Sequence, residues 1–115
     1  MGDLGHELWF GYFPVPDARQ AEELIRLARL ADGLGLDIVG IQDHPYQSRF
    51  LDTWTLLSDI AGHTQRLRLL PDVINLPLRP PSVLARSAAS LDILSGGRVE
   101  LGAHPELLLD LLLDL

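Results

Sequence analysis

Hydrophobic and polar positions follow two alternating patterns along the chain. Short runs of apolar, β-branched and aromatic residues, too short for helices, are typical of strands. Between them, apolar residues recur at spacings of three and four positions, which is typical of helices with one buried face. The predicted strands span residues 8–13, 38–42, 67–74 and 98–101, and a predicted helix follows each of them.

Residues that favour helix ends mark the helix boundaries. Asp17 is a predicted N-cap with Gln20 as its capping-box partner, because each side chain can satisfy a free backbone N–H. Gly33 and Gly35 are predicted to end this first helix, since glycine tolerates the left-handed conformation that commonly follows a helix. Asp52 is the predicted cap of the second helix, and Pro81 suits the first turn of the third.

The order of these elements predicts an α/β fold. Strands that alternate with helices imply parallel strands joined by right-handed crossovers. The 115 residues are enough for one domain, which we take as residues 1–115. Four successive βα units, the last ending in a Leu-rich helix over residues 105–115, amount to half of a (β/α)₈ barrel. A four-stranded open α/β sheet is the alternative.

Composition narrows the classes of partner. All nine basic residues are arginine, and they stand against 16 acidic residues, which gives a formal net charge of −7. Because affinity for nucleic acids and for anionic membranes comes from Lys and Arg, neither partner is expected. The absence of cysteine excludes thiolate nucleophiles and Cys-ligated metal sites. No apolar run is long enough to span a membrane and no signal peptide is recognised, so we expect a cytoplasmic protein.

A polar pair follows the second predicted strand and is the leading candidate for chemistry. Asp43 and His44 interrupt that strand, and residues just past the carboxyl end of a barrel strand face the mouth that holds active sites. A histidine there can donate a hydrogen bond to a bound oxyanion near neutral pH. The alternative is a histidine held within a strand-end turn, with Asp43 as its orienting partner.

Other conspicuous residues favour structural interpretations. Arg79 is expected to be solvated or to form an ion pair that fixes its loop. Trp54 lies on the apolar stripe of its helix and is expected in the core. The segment Ser95-Gly96-Gly97-Arg98 precedes a strand, so we interpret it as a helix end rather than a phosphate cradle. The remaining histidines lack metal-ligand spacing, and no metal site is predicted.

Four segments carry a more specific pattern. They are Gln42-Asp43-His44-Pro45-Tyr46, residues 51–57 (LDTWTLL), residues 75–81 (NLPLRPP) and residues 91–102 (LDILSGGRVELG). In this order and spacing they resemble the luciferase-like monooxygenase family over about residues 8–102, which is the N-terminal half of the family's (β/α)₈ barrel. The resemblance implies an oxidoreductase or monooxygenase that uses FMN or a 5-deazaflavin coenzyme. It would transfer a hydride or activate oxygen on a small organic substrate.

The resemblance also implies roles for individual residues. His44 would hydrogen-bond the cofactor ring or the substrate, and Asp43 would orient it. A cis peptide bond between Asp72 and Val73 would support the back of the ring, with an ordinary trans strand end as the alternative. Asn75 would reach the mouth of the cofactor site, and a turn-forming asparagine is the alternative there.

The C-terminal segment departs from the family. After Gly102 the chain continues with Ala103-His104-Pro105-Glu106, and then with residues 107–115, which are leucine except for two aspartates. The second half of the barrel, where (β/α)₈ enzymes commonly bind phosphate, is not part of this sequence. Unpaired strand edges and the leucine-rich segment lead us to expect a homodimer or larger assembly. The alternative function is a non-catalytic half-barrel that acts by self-association or by pairing with a partner half.

Overall fold

The computed structural model describes residues 8–101, which form a parallel β-sheet packed against three α-helices. The strands are β1 (Gly11–Tyr12), β2 (Ile38–Ile41) and β3 (Arg68–Pro71), and the α-helices are α1 (Ala21–Leu34), α2 (Thr53–His63) and α3 (Pro81–Leu94). Two 3₁₀ helices, Ala18–Gln20 and Leu76–Leu78, precede α1 and α3. The sheet order is β1-β2-β3, and neighbouring strands are parallel. No helix within this part of the chain has the length and apolar character to cross a membrane.

The predicted helix boundaries are confirmed at three positions. Asp52 begins α2 by accepting a hydrogen bond from the Thr55 N–H at 2.9 Å. Gly35 follows α1 in the left-handed region with φ of 87°, whereas Gly33 lies inside the helix and does not end it. Pro81 is the first residue of α3, where its missing N–H has no intrahelical partner to lose.

The predicted capping box at the start of the first helix is wrong. Gln20 makes no side-chain cap bond. Asp17 instead caps the 3₁₀ helix by accepting the Arg19 N–H at 2.9 Å, and its carboxylate also holds the Arg19 guanidinium. The Asp17 N–H, which Gln20 was predicted to satisfy, donates instead to the Val15 carbonyl at 2.9 Å.

One face of the sheet carries the core. Leu69 and Pro71 in β3 are buried, whereas Arg68 and Leu70 are only partly buried, because successive side chains of a strand point to opposite faces. The buried face packs against all three helices. Their buried apolar residues are Leu24, Ala28, Ala31, Trp54, Leu56, Leu57, Ile60, Leu84 and Leu91. The burial of Trp54 confirms its predicted place in the core.

The predicted fourth strand, residues 98–101, is reduced to a single parallel bridge between Val99 and Leu69. The Leu69 N–H donates to the Arg98 carbonyl, and the Glu100 N–H donates to the Leu69 carbonyl, both at 2.9 Å. In a parallel ladder, the next donor on this edge of β3 is residue 71. Pro71 has no N–H, so it cannot donate the next bond on this edge. The described residues thus contain three strands and one bridge, so four βα units are not confirmed, and the predicted helix over residues 105–115 lies outside the described residues.

Strands β1 and β3 are also shorter than predicted. β1 contains two residues of the predicted range 8–13. β3 ends at Pro71 rather than at residue 74. The Asp72 N–H still donates to the Ile41 carbonyl at 2.8 Å, but the Asn75 N–H turns away from the sheet to a side chain on the neighbouring loop.

Candidate functional site

The predicted site residues lie at the carboxyl edge of the sheet. Ile41 and Pro71, the last residues of β2 and β3, are partners in the strand register. His44 follows β2 by three residues, which confirms its predicted position at the carboxyl end of that strand. Asp72, Val73 and Asn75 follow β3 at the same edge. Parallel pairing therefore brings the two loops together.

A buried carboxylate joins these loops. The Asp43 side chain is 1% exposed, and its two oxygens accept from Nε and Nη2 of Arg79, each at 2.7 Å. The same carboxylate accepts the Asn75 N–H at 2.9 Å. The Arg79 guanidinium also reaches Asp52 at 3.4 Å, at the start of α2. Three segments that are distant in sequence thus meet at one carboxylate and one guanidinium.

The charge state of this pair follows from its contacts. Burial by itself raises the pKa of the Asp43 carboxyl, but the bonds from Arg79 and from the Asn75 N–H outweigh burial, and the net pKa is below its ordinary value. The Asp43 carboxylate in turn raises the pKa of Arg79. The pair is therefore ionised at neutral pH, as expected for a bidentate arginine–carboxylate contact.

His44 has a different partner from the one predicted. Its Nδ1 lies 2.7 Å from the Tyr46 hydroxyl, and its ring is tilted against those of Tyr46 and Phe50 at centroid distances of 5.3 and 6.3 Å. The Asp43 carboxylate is already bound to Arg79 and Asn75. Asp43 therefore does not orient His44 by a hydrogen bond. Its carboxylate instead forms an ion pair with Arg79, which is one of the two structural roles predicted for that arginine.

The loop after β3 contains the other predicted residues. The Asp72–Val73 peptide bond is cis, which confirms that prediction. Val73 is 61% exposed. Asn75 precedes the 3₁₀ helix Leu76–Leu78, and its carbonyl accepts the Leu78 N–H at 3.2 Å, so it also forms a turn.

Sequence reasoning missed two residues at this edge. Phe13 follows β1 and is 54% exposed. Gly40 in β2 lies against it, because a Cβ at this glycine would be 3.1 Å from Phe13 Cδ2 and 3.6 Å from Asp72 Oδ2. Phe13 is the first residue after β1, and His44 is the third residue after β2, so both follow the carboxyl end of a strand. An examination of every predicted strand end would have found it, whereas nothing in the sequence marks Gly40.

The exposed side chains at this edge fit a flat aromatic cofactor ring. Such a ring needs exposed apolar surface with a few polar groups beside it. Phe13 and Val73 provide the apolar surface, and His44 and Asn75 are polar and partly buried. Next to His44, a cleft of about 140 Å³ extends between the loop after β2 and the start of α2. Arg79 is occupied by carboxylates, so it does not add a phosphate-binding group.

Comparisons with known proteins point to one family. A sequence model of the luciferase-like monooxygenases matches residues 9–103. The chain is 30% identical over 99 residues to the 5,10-methylenetetrahydromethanopterin reductase of Methanopyrus kandleri, covering 86% of this chain and 27% of the reductase. It is 43% identical over 53 residues to an uncharacterized protein of Mycobacterium bovis, covering 46% of this chain and 18% of that protein.

Solved structures agree with the sequence match. The coenzyme F420 dependent tetrahydromethanopterin reductase of Methanopyrus kandleri has a TM-score of 0.75 at 28% identity, over 84% of this chain and 26% of the reductase. The oxygenating constituent of 3,6-diketocamphane monooxygenase from Pseudomonas putida, solved with FMN, has a TM-score of 0.72 at 26% identity, over 88% of this chain and 32% of the monooxygenase. The chain thus spans 18% to 32% of the length of these relatives. On the family match and the shared fold, the chain belongs to the luciferase-like monooxygenase family.

Proposed function

We propose that this chain forms the N-terminal part of a (β/α)₈ flavin- or deazaflavin-dependent oxidoreductase, and that the carboxyl edge of its sheet holds the cofactor ring. The observation that carries the proposal is the Asp43–Arg79 pair with its bond to Asn75, which brings the His44 loop against the loop of Val73. An F420-dependent reductase and an FMN-bound monooxygenase among the structural neighbours support this class of cofactor.

Each residue has a role that its surroundings support. Val73 and Phe13 give the ring apolar contact. Tyr46 holds the His44 imidazole by the bond to Nδ1, and when the hydroxyl donates this bond the neutral ring keeps its proton on Nε2. That N–H is available to donate to cofactor or substrate. A reduced flavin or deazaflavin supplies the hydride or reacts with oxygen, while the protein orients it and excludes water.

A ligand titration tests the proposal. FMN and a deazaflavin analogue are titrated separately into the 115-residue chain, and flavin fluorescence and absorption are recorded. We expect saturable quenching by at least one of them. The Val73→Asp variant should weaken that binding by about tenfold or more, because a ring cannot replace the water around a carboxylate.

Val83→Asp is the matched control for this titration. Val83 lies in the first turn of α3, outside the two loops of the candidate site, and is 58% exposed, close to the 61% of Val73. Its substitution should leave the affinity unchanged. Equal losses in the two variants, or no saturable signal from the folded chain up to about 1 mM ligand, would contradict ring binding at this edge.

The second candidate function is that of a non-catalytic half-barrel that associates with itself or with a partner half. The supporting observation is apolar side chains on α3 that point away from the core: Val83, Ile93 and Leu94 are 58%, 80% and 83% exposed. Exposed apolar surface of this kind commonly marks an interface. Under this proposal the chain is a homodimer or larger assembly.

Sedimentation equilibrium at micromolar concentration tests the association. We expect a mass of at least twice the 12.7 kDa of the chain. Leu94→Glu should reduce it, because a charge in an apolar interface is costly. Leu34→Glu, at the exposed end of α1, is the control for nonspecific apolar contacts. A monomeric wild type would contradict self-association, and equal effects of the two substitutions would rule out the α3 surface.

A further inference from the structure

Arg79 connects the parts of the candidate site more extensively than any single predicted site residue. Its guanidinium binds the Asp43 carboxylate in a two-point contact and reaches Asp52 at 3.4 Å. Asp52 itself holds the first turn of α2 through the Thr55 N–H and hydroxyl, at 2.9 and 2.8 Å. One side chain after β3 therefore touches the loop after β2 and the start of α2.

The predicted site residues are attached directly to this contact. His44 is the next residue after Asp43, and the Asn75 N–H donates to the same carboxylate oxygen that accepts from Arg79 Nε. Val73 is two residues before Asn75 in the same loop. The contact between the Asp43 carboxylate and the Arg79 guanidinium thus sets the distance between the His44 loop and the loop of Val73 and Asn75.

The chemistry of the pair favours a role in geometry over a role in stability. Burying two charges costs desolvation that their attraction only partly offsets, and well-packed apolar residues often replace such pairs without loss of stability. A planar guanidinium that binds both carboxylate oxygens fixes direction as well as distance, which an ammonium group does not do. The Asp43 side chain is 1% exposed and that of Arg79 is 16% exposed, so water competes little for these bonds.

We propose that Arg79 is a positioning residue that holds the His44 loop at a defined distance from the loop of Val73 and Asn75. As a statement about cofactor binding, it rests on the proposed function. As a statement about the two loops, it can be tested without any ligand.

The test compares Arg79→Lys with the wild-type chain by three measurements. These are amide exchange at Asn75, the NMR resonances of the His44 ring, and ring affinity from the titration above. We expect exchange at Asn75 to accelerate, the His44 resonances to move or broaden, and ring affinity to fall by about tenfold, the scale on which loss of a supporting partner affects a site.

Arg68→Lys is the matched control. Arg68 also pairs with a carboxylate, with its Nε 2.7 Å from Glu100, but it lies at the start of β3, the opposite end of that strand. This substitution should leave all three measurements near wild-type values. If Arg79→Lys leaves Asn75 exchange and the His44 resonances unchanged, Arg79 does not position the loops, whatever the chain binds.

The two proposals fail in different ways. If the wild-type chain binds no ring but Arg79→Lys still alters Asn75 exchange and the His44 resonances, the proposed function is wrong and the positioning role stands. Should Arg79→Lys fail to fold, the Arg79→Gln variant, which leaves Asp43 beside His44 in place, is measured instead. With this variant, altered His44 resonances support the positioning role, and wild-type resonances overturn it.

Discussion

The hydroxyl of Tyr12 has no hydrogen-bond partner within the described part of the chain. It is buried at the end of β1, and Trp54 Nε1 is likewise buried without a partner in that part of the chain. Burial raises the pKa of Tyr12 to about 12 from an ordinary value of 10.0. The phenolate is therefore disfavoured more strongly in the folded chain than in the unfolded chain.

Tyr12→Phe should make the chain less sensitive to alkali. Because the folded pKa is the higher one, this contribution to stability is complete below pH 10 and is lost as the pH rises from 10.0 toward 12. The chain has no lysine to titrate in the same range. Urea unfolding from pH 7 upward should show a smaller alkaline loss in Tyr12→Phe, and an unfolding free energy at neutral pH that is higher by up to about 1 kcal/mol.

Tyr46→Phe is the control for the alkaline range. Tyr46 is 65% exposed, so its removal should leave the alkaline loss in place. The explanation by burial would be wrong if Tyr12→Phe and wild type lost stability in parallel as the pH rose.

At the scale of elements, the junction after α1 depends on backbone conformation and on one carboxylate. Gly35 has φ of 87° and donates its N–H to carbonyls of the last turn. Asp32, in that turn, accepts the N–H groups of residues 65–67 at 2.9 Å each, and so ties the end of α1 to the start of β3. Burial by itself would raise the pKa of Asp32, but these three bonds and the charge of Arg66 lower it overall.

Two glycine substitutions, two residues apart, should act in opposite directions. Gly35→Ala should lower the unfolding free energy by about 1 kcal/mol, because L-residues are strained at this φ. A Cβ there has room, its nearest neighbour being Arg66 Nη2 at 3.7 Å, so the loss comes from the backbone. Gly33→Ala lies inside α1 with nothing within 4 Å of its Cβ and should raise stability by about 0.5–1 kcal/mol.

Urea unfolding of both variants under the same conditions checks this pair. A loss of stability in Gly33→Ala, or a gain in Gly35→Ala, would show that conformational preference does not govern the end of α1.

At the scale of the whole molecule, Arg98 joins elements that meet at the amino end of β3. Arg98 is buried, with 8% of its surface exposed. It donates to the Thr64 hydroxyl at 2.9 Å and to the carbonyls of Leu67, Ala61 and Ser95 at 3.1, 2.9 and 2.7 Å. These acceptors belong to the ends of α2 and α3 and to the residue before β3. Burial lowers the pKa of Arg98, but the carbonyls satisfy the charge.

Arg98→Met should destabilise the whole fold. The substitution removes four hydrogen bonds and leaves buried carbonyls without donors, so we expect a loss of about 2–4 kcal/mol. Arg66→Met removes one bond, to the Asp32 carbonyl at 2.9 Å, from an exposed position and should change stability by less than about 1 kcal/mol. Urea midpoints measure both, and similar losses in the two variants would contradict the role of Arg98 as the central contact.

The helices, their main boundaries and the position of His44 could be predicted because their signals are local. An apolar stripe, a cap such as Asp52 and a glycine such as Gly35 act on residues only a few positions away, so they can be recognised from the sequence alone. The motifs around His44 and residues 75–81 identified the family for the same reason: they are continuous in sequence.

Tertiary structure decided the contacts between distant segments. Asp43 lies beside His44 in sequence, yet its carboxylate binds Arg79, 36 residues away, because the parallel register brings the two loops to one edge. The predicted fourth strand is reduced to one bridge in the described residues. Residue 71 would donate the next bond on that edge of β3, and it is a proline; only the pairing within the sheet decides that residue 71 faces this edge. Sequence determines which groups are available, and only packing determines which of them meet.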